Sequence, residues 1–294
     1  MKMFRSTFLG KGLKKTGGYV RARLEALSKY VFAEMQYVPD GWHATRSWND
    51  PSVADAQEKH WPILVRNVSG PGPLGVAHFP WHTTREDRAD HNVMMSYGYV
   101  LALSARKRDA ISVLDWGGGA GHYWLYSKAL LPEVELEYHC FDLPSLCSLG
   151  RRLLPGIHVG ADEAEFLGRR YDLVISSSAL HYFEDWRSEV DKLAQATGEY
   201  LYVSRLQVVT RAASFVAAHR MHHSGYGEFL SWCINRQEFL NCLERCGLEL
   251  VREFVYYNRS VIRGAPEQGD CRGYLFRRRQ ALREGGPPLQ ETGT

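Results

Sequence analysis

The densest chemical signal in the sequence is DWGGGAG, residues Asp115 to Gly121, at the end of the apolar run Ile111, Val113, Leu114. An interior glycine costs about 0.5–1 kcal/mol relative to alanine. A cluster of four therefore marks a tight turn, a close backbone approach, or both. Between a strand and its following helix, such a turn lets a ligand reach the backbone with no Cβ in the way. The helix behind it offers unpaired amide hydrogens. Asp142 closes the next apolar stretch, VELEYHCFD, 25 positions after Gly117. An acid there can accept hydrogen bonds from two ribose hydroxyls. Together these elements point to a cofactor containing a nucleoside.

The spacing narrows the choice. A pyrophosphate-binding G-x-G-x-x-G match would need glycine at position 122, which is His122, or at position 120, which is Ala120. The alternation is instead Gly117, Gly119, Gly121, with Asp115 two residues before the first. An acid sits badly beside a pyrophosphate and well beside a cationic amino-acid portion. The turn thus favours S-adenosylmethionine, which carries a sulfonium, an amine and one nucleoside.

On these residues the sequence resembles the class I S-adenosylmethionine-dependent methyltransferases. VLDWGGGAGHY, FDLP and YDLVISSSALHYFEDW stand where that superfamily has its glycine motif, its ribose acid and its fourth strand with the following loop. The likeness covers roughly residues 90 to 275. DWGGGAG and SSSALHYFEDW more narrowly resemble a family of methyltransferases found among bacterial surface-polysaccharide genes. The resemblance implies that Asp115, Gly117, Gly119 and Gly121 hold the methionine part, Asp142 the ribose, and Leu143 the adenine face. It also puts an acid after the third strand near the adenine amine, where Asp162 is the best match. The alternative is that Asp162 and Glu163 only cap a helix. Trp116, in place of a small residue, is expected to pack behind the turn.

Methyl transfer from a sulfonium is a direct displacement, so a hydroxyl acceptor gains from a base that removes its proton. His181 follows the fourth strand and is the first candidate for that base; a purely structural role is the other reading. His222 and His223 are the reserves. With His219 they stand at i, i+3 and i+4, as on one helix face, after the fifth strand. The cluster could bind an acceptor or be ordinary polar surface. No H-E-x-x-H or matching carboxylate makes it a metal site, so no metal is expected. Trp42, Trp48, Trp61 and Trp81 with Arg46 and Arg85 either line a sugar-binding face or cement the N-terminal segment onto the core.

These groups need a scaffold, and from Ile111 onward strand and helix signals alternate. ISVLD, VELEYHCFD, GIHV, YDLVISSSAL and EYLYVS read as strands. HYWLYSKALL and SLCSLGRRLL, the latter opened by Pro144, read as helices. NRQEFLNCLERCG reads as a helix with an Asn235–Glu238 capping box and a Gly247 stop. LELVREFVYY and GYLF complete the sheet. The expected fold is α/β: a Rossmann-like, seven-stranded, mostly parallel sheet with helices on both faces and a helical, aromatic N-terminal extension. The expected organisation is a basic arm and extension over 1–75, with a helix near Val20–Phe32. The methyltransferase domain follows over 76–283, including a lead-in helix capped by Asp90, and then a disordered tail over 284–294.

The 294 residues are 45% hydrophobic and 23% charged, an ordinary soluble composition. Six cysteines without a CxxC pair read as free thiols. The formal charge of +3 is local, because residues 1 to 23 carry seven Lys or Arg and no acid. Without them the chain is net acidic, which argues against a nucleic-acid partner. The arm suits at most weak contact with an anionic membrane face. No secretory signal or membrane span is evident, so the expectation is a cytoplasmic protein, peripheral at the inner membrane face where the arm engages it. The function expected is O-methylation of a sugar or glycan intermediate. The alternatives are an aromatic or polyketide-like O-methyltransferase, a non-catalytic cofactor-binding scaffold and an NAD-dependent oxidoreductase. The oligomeric state is not legible.

Overall fold

The computed structural model describes residues 34–43, 48, 50–75, 88–220, 228–256 and 261–279. The elements in chain order are β1 (Glu34–Val38), α1 (Pro51–Ser69), α2 (Arg88–Ser104), β2 (Ala110–Trp116), α3 (His122–Leu130), β3 (Glu135–Phe141), α4 (Pro144–Leu153) and β4 (His158–Gly160). They continue with α5 (Ala164–Leu167), β5 (Tyr171–Ser177), a single 3₁₀ turn (Leu180–Tyr182), α6 (Trp186–Ala196), β6 (Thr197–Val209), β7 (Phe215–Arg220) and β8 (Glu228–Asn235). The last are α7 (Arg236–Arg245), β9 (Leu248–Val255), β10 (Ile262–Arg263) and β11 (Asp270–Arg278).

Seven strands form the expected sheet, in the order β4-β3-β2-β5-β6-β11-β9. The first five run parallel, and β11 is antiparallel to both β6 and β9. Because this sheet is covered on both faces, its strands are apolar at successive positions rather than at alternate ones. Val113, Leu173 and Ile175 join the core under α1 to α4. Their neighbours Leu114 and Val174 join the opposite core, under α5 to α7.

Four further strands exceed the seven expected. β6 runs on past the parallel core and pairs with β8 at Val208–Ile234 and Val209–Asn235. From β8 a second sheet extends in the order β8-β7-β1-β10. Its strand β7 carries His219, paired with Met35 on one side and Phe229 on the other. The expected helix through His219 is therefore a strand. SFVAAHR is a short apolar stretch, and periodicity alone does not separate a buried strand from a helix over such a length. His222 and His223 lie outside the described residues, as do the helix expected near Val20–Phe32 and the tail over 284–294.

The N-terminal segment belongs to this architecture. β1 is an inner strand of the second sheet, and α1 begins with Asp50 accepting from Ser52 N at 2.9 Å ahead of Pro51. Trp61 on α1 is buried against the His122 ring, 5.5 Å between centroids. Trp42 stacks on Trp232 at 6.1 Å, so these two tryptophans cement the segment to the core. Trp81, Arg46 and Arg85 lie outside the described residues. Farther on, Asn235 caps α7 by accepting from Gln237 N and Glu238 N. Only half of the expected capping box forms, because Asn235 N donates to Ser214 Oγ and the Glu238 carboxylate holds Ser214 and Arg187. All six cysteines are free thiols, as expected.

Candidate active site

The turn after β2 accounts for its own glycines. Gly117, Gly119 and Gly121 have φ of 75°, 63° and 90°, so the alternation in the sequence is an alternation of left-handed residues. Space reinforces conformation. A Cβ on Gly117 would fall well inside contact distance of Ala179 Cβ, just after β5. One on Gly119 would stand 2.9 Å from His122 Cε1, and one on Gly121 2.9 Å from Ile157 Cδ1. Gly117 N and Gly118 N both donate to Phe141 O, at 2.8 and 3.3 Å, which ties the turn to the end of β3.

Asp142 sits at that same end, half-buried. Its Oδ2 accepts from Gly119 N and its Oδ1 from Leu143 N, each at 2.6 Å. The carboxylate is thereby fixed beside the turn, with lone pairs left over for hydroxyl donors. Burial raises its pKa to about 6 against the opposing pull of those two amides. Asp115 is fully buried behind Gly118 and accepts from Tyr138 Oη at 2.8 Å. Its Oδ1 has no hydrogen-bond partner, and burial lifts its pKa to about 7. Trp116 is also fully buried: it stacks on Phe141 at 4.0 Å and donates through Nε1 to Glu189 Oε2 at 3.1 Å. That is the packing role expected of it. Leu143 is half-buried immediately after Asp142, and Asp162 is exposed, its Oδ1 accepting from Ala164 N at 3.0 Å at the head of α5.

At the end of β5 the chain makes the 3₁₀ turn that carries His181. The ring is buried, lies 4.2 Å from the Tyr182 ring, and leaves Nδ1 without a partner. Burial first, and then His219 and Arg205, lower its pKa to about 3. His219 on β7 is lowered to about 4 by burial. The second sheet thus brings His219 into electrostatic range of His181, although 38 positions separate them in the chain. A short relay runs alongside: Ser204 donates to Ser177 Oγ at 2.8 Å, and Ser177 and Tyr123 share a hydrogen bond at 2.7 Å. Trp48 packs on Tyr182 and Phe229, at 5.0 and 4.6 Å, and forms an aromatic wall next to His181.

Three residues here escaped the sequence reading. Gln57 on α1 is buried, with Oε1 unpartnered and 3.3 Å from where a Gly119 Cβ would stand. Tyr138 and Arg205 are the other two. None belongs to a motif: Gln57 is one polar residue on an amphipathic helix, and Arg205 one cation in a strand. Among the described residues no group of three or more His, Cys, Asp or Glu is placed to hold a metal.

A glycine cradle that a Cβ would block, a ribose-competent acid on the next strand and unpartnered buried oxygens beside the cradle fit a nucleoside cofactor with a cationic amino-acid end. Fold and site together define an S-adenosylmethionine-dependent methyltransferase of the Rossmann-like type. Residues 89–253 match the family described as methyltransferase domain, and the chain belongs to that family. It is an enzyme whose cofactor is S-adenosylmethionine. No match was found among curated proteins.

Solved structures similar to this chain include the 1,6-didemethyltoxoflavin N1-methyltransferase of Burkholderia thailandensis. It is 15% identical, covering 84% of this chain and 95% of that one, with a TM-score of 0.48. The CcbJ methyltransferase of Streptomyces caelestis is 15% identical over 80% of this chain and 99% of its own, with a TM-score of 0.48. The glycopeptide N-methyltransferase MtfA is 14% identical over 70% of this chain and all of its own (100%), with a TM-score of 0.45. The family assignment rests on the domain match.

Proposed function

We propose that this chain transfers a methyl group to a hydroxyl of a sugar or glycan intermediate, with His181 taking the hydroxyl proton. S-adenosylmethionine supplies the methyl, activated on its sulfonium. Gly117, Gly119 and Gly121 open the backbone to the methionine part, and Asp115 backs that turn electrostatically. Asp142 accepts from the ribose, Leu143 covers the adenine, and Asp162 lies on the adenine side. The observation that carries the reading is His181 itself. It is a buried imidazole with an unpartnered Nδ1, two residues beyond the Ala179 that touches the glycine turn. Burial keeps the imidazole neutral across the neutral pH range, so its ring nitrogen is open to a hydroxyl proton, and the same burial lowers its basicity to a pKa of about 3.

The sugar class rests on the likeness of DWGGGAG and SSSALHYFEDW to polysaccharide-cluster methyltransferases. The wall of Trp48, Tyr182 and Phe229 favours a flat acceptor, either a sugar face or an aromatic alcohol, so an aromatic small-molecule acceptor is the second reading. His222 and His223 remain the reserve bases. The basic arm over 1–23 would keep the enzyme at the inner membrane face through weak contact with anionic lipid. Among the described residues no helix is long and apolar enough to cross a membrane.

The test is turnover of labelled S-adenosylmethionine on nucleotide-sugar and aromatic metabolite fractions, with His181→Ala, His222→Ala and His223→Ala beside the wild type. Loss of His181 should cost about 10²–10⁴ in turnover, the usual worth of a placed base. Affinity for S-adenosylhomocysteine should change little. Label entering only the aromatic pool reverses the order of acceptors. A normal rate for His181→Ala beside a crippled His222→Ala or His223→Ala moves the base to that histidine.

A further inference from the structure

Arg205, whose charge reaches His181, has an unusual setting. It lies on β6 with φ of 56°, in the left-handed region that a bulky residue rarely enters. The ladder with β11 shifts register here: Leu206 pairs with Arg272 and Val203 with Tyr274, so Ser204 and Arg205 bulge out opposite Gly273. Bulges beside active sites re-aim side chains. This one falls where β6 leaves the parallel core to meet the second sheet at Val208.

The Arg205 side chain is half-buried, and among the described residues its guanidinium has no hydrogen bond and no ion pair. Asp270 on the adjacent strand is taken by Arg272, at 2.7 Å. Asp90 and Asp270 act on Cys271, and Asp115 on Tyr123, alongside Arg205, but none of them is ion-paired with its guanidinium. Its charge is felt at His122 and Tyr123 of α3, at His181 and Tyr182 of the 3₁₀ turn, and at Cys271 of β11. At each of these burial is the larger influence. The guanidinium pushes both imidazoles further toward neutrality and draws the phenols and the thiol back toward ionisation. His181 leaves a buried ring nitrogen unpartnered in the same place.

A half-buried cation with no ion pair is costly unless an anion completes it. The planar fork of arginine matches the two oxygens of a carboxylate or the edge of a phosphate. The position also separates this charge from the ribose end of the cofactor. In the strand order, β6 lies on the far side of β5 from β2 and β3, where the glycine turn and Asp142 stand.

We propose that Arg205 recognises an anionic group, a carboxylate or a phosphate, on the methyl acceptor. This rests on the methyl-transfer reading above and narrows its substrate class to acceptors that carry such a group near the methylated atom. An acidic sugar or a sugar phosphate qualifies, and a neutral aromatic alcohol does not.

The experiment titrates the full chain with inorganic phosphate and, separately, with acetate, in the presence and absence of saturating S-adenosylhomocysteine. Tryptophan fluorescence is the readout, since Trp48 lies against Tyr182. The expected result is saturation by one of the two anions with cofactor product bound, weakened about tenfold or more in Arg205→Met and less in Arg205→Lys, which keeps the charge but loses the fork. Which anion saturates separates phosphate from carboxylate. Three outcomes overturn the proposal: saturation by neither anion, equal affinity in wild type and Arg205→Met, or S-adenosylhomocysteine affinity lost in Arg205→Met, which would give the charge to the cofactor. S-adenosylhomocysteine failing to bind the wild type would instead refute the cofactor reading, and the anion arm run without it still reads Arg205.

Discussion

Replacing Gly117 by alanine tests whether the turn is built by conformation and by contact together, and Gly247 supplies a matched control. Both glycines are left-handed, at 75° and 79°, but nothing lies within 4 Å of a Cβ built on Gly247. Gly247→Ala therefore isolates the backbone penalty, about 1–2 kcal/mol for a left-handed alanine. Gly117→Ala carries that penalty and also drives its methyl into Ala179 Cβ. Neither partner is a flexible side-chain end, so backbone must move, and overpacking of this kind costs about 1–3 kcal/mol more. Gly117→Ala should thus lose about 2–5 kcal/mol in all, read from urea midpoints at constant m. The movement falls on Ala179, two residues from His181, and on the turn amides. S-adenosylhomocysteine affinity measured by calorimetry should drop about tenfold or more, while Gly247→Ala leaves it within about twofold. Equal stability loss in the two variants, or full cofactor affinity in Gly117→Ala, would refute the reasoning.

Asp142→Asn should weaken S-adenosylhomocysteine by about 1–3 kcal/mol, through loss of charge-assisted hydrogen bonds, and unchanged affinity removes Asp142 from the site. Trp116→Phe should cost about 1–3 kcal/mol of stability, because Glu189 loses a buried donor and keeps only Lys192, with cofactor affinity unchanged; calorimetry and urea unfolding check both halves. Stability should also fall in acid. Burial lowers His122 to about 4, His181 to about 3 and His219 to about 4, so the unfolded chain takes up their protons first as the pH drops below about 6.5. Each removes about 1.4 kcal/mol per pH unit. Asp115 and Asp142, raised by burial to about 7 and about 6, act in the opposite sense and restore the same amount each as the pH falls toward about 4. The net loss is one group's worth, about 1.4 kcal/mol per pH unit between about pH 6 and 5. It steepens below that as Glu137 and Glu267, both lowered to about 2, are protonated first in the unfolded chain. A flat urea-midpoint profile between about pH 6 and 5, or a loss three times as steep there, contradicts that balance.

The glycine turn and the strand–helix alternation around it were legible in the sequence because their causes are local. A left-handed residue demands glycine wherever the chain folds, so three such residues at alternate positions announced the cradle, and Asp142 followed at the end of the next strand. The seven-stranded core was legible for a similar reason: apolar runs such as YDLVISS bury both faces of a strand without reference to particular partners. Asn235 as a cap was legible too. The use of Glu238 was not, since Arg187 and Ser214 compete for its carboxylate from distant parts of the chain.

What only the tertiary structure decided was pairing across long separations. The spacing of His219 suggests a helix face for SFVAAHR, and its short apolar run fits a strand as well. It becomes β7 because β1, some 180 positions earlier, and β8 supply its ladder partners. That pairing sets His219 toward His181 and makes the second sheet. The bulge at Arg205 is likewise set by a distant partner, β11. Gln57 reaches the glycine turn only because α1 packs on α3 and α4. A local sequence records the conformation that each residue can adopt. The neighbours that give a lone histidine, glutamine or arginine its charge environment come from burial of surfaces far apart in the chain, and burial is settled only when the whole sheet has closed.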